Sequence, residues 1–105
     1  MAWILLLIAG VLEVVWATAM KQSDGFTRPM PSIVMAVTLV ASFVLLASAM
    51  RTLPLGTAYT VWTGIGAVGA LTVGILFMGE SVSIARIIAA LLILGGILLM
   101  KISSP

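Results

Sequence analysis

Apolar residues fill this chain in four long runs, residues 2–20, 31–50, 55–78 and 84–100, separated by short polar turns. Each run is close to the roughly 20 residues that an α-helix needs to cross the hydrocarbon core of a bilayer. None alternates with the period of two that marks a half-buried strand. The pattern predicts an all-α integral membrane protein, with residues 1–105 forming a single domain of four transmembrane helices. Within the runs the polar positions are sparse, so each one carries weight. Glu13 is the only ionisable side chain well inside a run. A charged carboxylate is expensive there unless it binds a proton or meets a cation. No Lys or Arg lies deep in any run to pair with it, so the cation has to come from outside the chain.

Composition sharpens this reading. Hydrophobic residues make up 63% of the 105 and charged residues 8%, more apolar surface than a soluble domain of this length can hide from water. The chain has no Cys and no His, which excludes a thiolate nucleophile, a disulfide framework and the commonest metal ligands. No enzyme chemistry, metal or cofactor is expected. A net charge of +2 from dispersed Lys and Arg offers no basic patch for nucleic acid. Ala17-Thr18-Ala19 superficially resembles a signal-peptidase site. However, no basic residue precedes the run, Glu13 interrupts it and three further runs follow, so the first run is expected to stay as a span.

With an even number of spans, the termini and the second turn share one side of the membrane. That side carries Arg51 and Lys101, and the other carries Lys21, Arg28 and Arg86. Orientation follows Lys and Arg asymmetry, and two against three is nearly balanced. A chain that inserts both ways could pair with an inverted copy of itself, the symmetry found inside many larger secondary transporters.

Helical spacing places Ala9, Gly10, Trp16 and Ala17 on the face of Glu13. Its small residues leave room beside the carboxylate, and the Trp16 indole can donate a hydrogen bond or offer its ring to a cation. A packing seam with Glu13 as interhelical glue is the alternative. On the third run, Gly56, Tyr59, Trp62, Thr63 and Gly66 fall on one stripe, and a facing Glu13 could accept from both Tyr59 and Trp62. Gly64-Ile65-Gly66 is the expected bend. In the second run, Ser42 either joins Glu13 or Trp16 in a network or bonds its own helix. The fourth run has no polar side chain between Arg86 and Lys101. Its path Ala85, Ala89, Leu92 and Gly96 reads as a helix-packing seam.

Several segments then look familiar: Leu12-Glu13-Val14-Val15-Trp16-Ala17, Met20-Lys21, Gly25-Phe26 and the long stretch from Leu53-Pro54-Leu55-Gly56 through Ala58-Tyr59 and Trp62-Thr63-Gly64-Ile65-Gly66. Across the whole chain they resemble the small multidrug resistance family. Trp16 stands where the quaternary-ammonium exporters usually have Gly, and Thr63 where they often have Ser or Ala, so the chain looks most like the guanidinium exporter subtype. The resemblance implies an antiparallel homodimer of dual-topology subunits in the bacterial inner (plasma) membrane, in contact with lipid. It implies proton-coupled export of guanidinium, with substrate and protons sharing Glu13. Gly10, Trp16, Ser42, Tyr59, Trp62 and Thr63 would form the pocket and its hydrogen-bond network, Gly64-Ile65-Gly66 the bend, and Ala89, Leu92 and Gly96 the dimer contact. Ala89 departs from the Gly that relatives often carry. An exporter of lipophilic quaternary ammonium ions and a non-transporting assembly protein are the competing readings.

Overall fold

The computed structural model describes residues 1–103. It contains four α-helices: α1 (Ala2–Gln22), α2 (Pro29–Ala49), α3 (Leu55–Phe77) and α4 (Ile84–Ser103). All four are long and apolar enough to cross a membrane. Three of the four starts coincide with the apolar runs, and the other ends shift by one to three residues. Lys21 and Gln22 continue α1 because amphipathic side chains at a helix end can reach polar surroundings without breaking it. Pro29 opens α2 within the first turn, where a missing N–H costs nothing and a fixed φ is already helical.

Each connection has its own stop signal. After α1, Asp24, Gly25 and Phe26 take φ of 51°, 70° and 67° in succession. The buried Ser23 steadies this turn: its hydroxyl donates to the Met20 carbonyl at 2.7 Å and accepts from the Phe26 amide at 3.1 Å. Extended Pro54 sets the start of α3. Beyond α3, Gly79 has φ 71°, the left-handed residue that commonly follows a helix C-terminus. Ser83 caps α4 by accepting from the Arg86 amide at 3.2 Å.

The Cα atoms spread over 44 × 35 × 16 Å, a flattened bundle. α1 lies in the middle of the packing, against both α2 and α3, while the backbone of α4 approaches that of α3 alone. The small core joins Leu6 and Ala9 of α1, Leu46 and Ala49 of α2, and Ala58, Val61 and Trp62 of α3. No residue of α4 is buried. Outside the core, large apolar side chains such as Val37, Leu91, Leu92 and Leu98 point outward. Water would penalise that surface, whereas lipid tails do not. The start of α1 and the end of α4 lie together, where the Lys101 ammonium sits 5.2 Å from the centroid of the Trp3 ring.

Candidate functional site

Glu13 projects from the middle of α1 toward α3, and what receives it is a glycine. A β-carbon at Gly66 would collide with the Glu13 carboxylate, so the carboxyl group rests directly on the α3 backbone. The same register repeats along the interface. A β-carbon at Gly10 would lie 2.5 Å from Ile65, and one at Gly69 would meet Val14. Close approach of the two helices therefore depends on small residues alternating with branched ones, the usual solution where lipid gives no hydrophobic drive for association.

Among the described residues, Glu13 Oε1 and Trp16 Nε1 are buried without a hydrogen-bond partner. Native structures leave few such atoms, because an unmade hydrogen bond forfeits about 1–3 kcal/mol. One atom is an acceptor and the other a donor, and both lie on one face of α1, three residues apart. The carboxylate can take an N–H-bearing cation or a proton. The indole can supply a donor or a π-face beside it.

The second part of the site is a relay between three helices. Trp62 Nε1 donates to Ser42 Oγ at 3.0 Å, and Ser42 Oγ donates to the Ala9 carbonyl at 2.7 Å. Ser42 is fully buried and Trp62 nearly so. The sequence offered two partners for Ser42, its own helix or the Glu13–Trp16 pair, and the hydroxyl takes neither. One turn earlier, Thr38 does bond its own helix, at Val34. The expectation that Trp62 and Tyr59 both donate to Glu13 needs correction in this subunit. The Trp62 N–H is consumed by Ser42, and no hydrogen bond from Tyr59 or Trp62 reaches Glu13 among the described residues. Tyr59 is half exposed and packs at a tilt against Trp62, with ring centroids 5.7 Å apart. Phe43 takes an equivalent position, also at 5.7 Å. Phe43 was not anticipated, since an aromatic beside Ser42 in an apolar run carries no periodic signal.

Tyr59 and Thr63 line a cavity of about 490 Å³ between α3 and α4, together with Gly64, Ile93, Gly96 and Ile97. α3 runs through Gly64-Ile65-Gly66 as unbroken helix. Each residue of that triplet has a packing role: Gly64 lies under Ile97, Ile65 against Gly10 and Gly66 under Glu13. On α4, Ala89, Leu92 and Gly96 are all exposed, and a β-carbon at Gly96 would meet nothing.

The profile of the Small Multidrug Resistance protein family matches residues 1–93. Over 104 residues, covering 99% of this chain and 100% of the relative, it is 58% identical to the guanidinium exporter of Yersinia pestis. It is 57% identical over the same length to the guanidinium exporters of Salmonella typhimurium and Klebsiella oxytoca, with 99% of each chain covered. Four apolar helices of spanning length, a mid-span acid seated on glycine and this near full-length similarity agree: the chain belongs to the small multidrug resistance family.

Proposed function

We propose that this protein exports guanidinium and small guanidinyl cations from the cell in exchange for protons, working in the bacterial inner membrane as an antiparallel homodimer. The carrying observation is the pair of buried, unpartnered atoms on α1, Glu13 Oε1 and Trp16 Nε1. Full-length relatives named guanidinium exporter support the choice of substrate. Glu13 is the common site. Guanidinium is planar and weakly hydrated, and its fork of N–H donors matches a carboxylate as a bare ammonium cannot. A proton and a guanidinium compete for the same oxygens, so loading one releases the other. Exchange follows if the empty, charged site is too costly to reorient across the membrane.

The subunit's shape supports pairing. The bundle is flattened, and within one subunit Glu13 is only partly buried. A second subunit would cover it and bring a second Glu13. The exposed stripe Ala89, Leu92 and Gly96 offers the contact, and Gly64–Gly66 the point where α3 bends during transport. Trp16, Ser42, Tyr59, Trp62, Gly10 and Thr63 shape the pocket.

The test is substrate-induced current from purified protein in liposomes. Guanidinium should give current and tetramethylammonium, which has no N–H, should give far less, because a site built on hydrogen bonds rejects ligands that cannot supply them. Equal currents would favour export of lipophilic quaternary ammonium ions. Absence of both current and flux of the labelled ion, in folded protein, would leave Glu13 as assembly glue.

A further inference from the structure

Glu13 is not the only carboxylate seated on a glycine of α3. Gly74 lies eight residues after Gly66, about 12 Å further along the helix axis, and a β-carbon there would collide with the carboxylate of Glu80. The Glu80 amide also donates to the Gly74 carbonyl at 3.1 Å, so the turn after α3 folds back and lays this acid over the end of its own helix. Two strips of residues connect the acids. On α1, Glu13, Ala17 and Lys21 follow at steps of four; on α3, Gly66, Ala70 and Val73 follow at steps of four and three, all on one face of each helix. Ala17, Thr18, Lys21, Ala70, Val73, Met78 and Glu80 line a cavity of about 360 Å³. This cavity starts one turn beyond Glu13 along α1 and opens at the membrane surface beside Glu80. A water molecule occupies about 30 Å³, so a small hydrated cation fits.

Glu80 already holds a guanidinium group. Arg86 Nη2 donates to Glu80 Oε1 at 2.8 Å and Nη1 donates to the Ser81 carbonyl at 3.1 Å. Both partners of this pair are substantially exposed. Exposed ion pairs are weak, so a guanidinium ion from solution, with the same donor fork, can take the place of the Arg86 head group.

We propose that Glu80 is an outer guanidinium station in line with Glu13, with Arg86 as its resident placeholder that arriving or departing substrate displaces. This rests on the export reading above. Lys21 faces the same cavity as a competing positive charge. Together with Arg86 it keeps the station weak, so that substrate is released and not trapped there.

The experiment is guanidinium-induced current from the full-length protein in liposomes, read as KM and saturating turnover for the wild type, Glu80→Gln, Glu80→Asp and Arg86→Gln. Loss of the station in Glu80→Gln should raise KM about three- to fivefold, the scale of one exposed ion pair, with a smaller change in turnover. Glu80→Asp should restore much of the loss. Arg86→Gln empties the station of its placeholder and should lower KM. Opposite signs from the two partners are diagnostic, because a merely structural salt bridge suffers alike from losing either one. KM values that move together, or that stay at the wild-type level, overturn the station. If Glu80→Gln does not fold, Arg86→Gln decides alone: an unchanged or raised KM overturns the proposal. A wild type without guanidinium current would instead defeat the export reading itself.

Discussion

At the scale of single residues, Glu13 and its seat can be tested separately. Glu13→Gln keeps the size of the side chain but cannot exchange a proton or balance a cation. It should abolish coupled transport in liposomes while leaving a folded, membrane-inserted protein; near wild-type guanidinium current would refute exchange at Glu13. Gly66→Ala keeps the carboxylate but fills its resting place. Overpacking of this kind costs about 1–3 kcal/mol, so guanidinium affinity should drop by roughly tenfold or more, as read by equilibrium titration. Ser42→Ala removes the link between Trp62 Nε1 and the Ala9 carbonyl, stranding a buried donor and acceptor at about 1–3 kcal/mol. It should lower thermal stability and reduce the preference for guanidinium over tetramethylammonium. On the exchange reading, protons and guanidinium contend for one carboxylate, and protonation removes the binding form of the site. Substrate affinity should therefore fall as pH is lowered, and a flat pH profile would argue against a shared site. Glu13 stood out from the sequence because charge is rare in apolar runs. Its seat on Gly66 did not, since spacing along one helix cannot say which residue of another helix lies opposite.

At the scale of elements, helix number and type were plain from the length of the apolar runs, and only the ends moved. Polar residues such as Gln22 and Ser103 extend helices past the point where hydropathy falls. The stripe on α3 was legible as a stripe. Its division of labour was not: Trp62 turns inward to Ser42, while Tyr59 and Thr63 face the groove toward α4. The difference lies in neighbours, because Ser42 presents an acceptor at one position and nothing comparable meets the other two. On α4, Leu92 is exposed and a β-carbon at Gly96 would meet nothing. On the dimer reading, Ala89→Leu combined with Gly96→Leu should therefore leave helix content intact while abolishing chemical cross-linking between subunits and transport. Retained cross-linking would place the subunit contact elsewhere.

For the molecule as a whole, the balance of charge between the two sides governs insertion. Lys101 and Trp3 lie together at one end, Lys21 and Glu80 at the other, so each end mixes basic groups with the membrane surface and neither dominates. Single cysteines placed in the turns of this cysteine-free chain should be labelled from both sides of intact cells. One added Lys at the C-terminus should skew the ratio; labelling from one side only would refute dual insertion. The near symmetry of the charges could be read from the sequence. The flattened shape could not, because it depends on α4 settling chiefly against α3.

That sparse attachment of α4 has a thermodynamic corollary. A helix with no fully buried residue and only Ile97 and Met100 packed on the core adds less to the stability of an isolated subunit than the other three, and on the dimer reading much of its packing is supplied by a neighbour. Mass action then ties the integrity of the fold to how crowded the protein is. Diluting it with excess lipid should loosen α4 before the other three helices, and the midpoint of unfolding should rise with the ratio of protein to lipid.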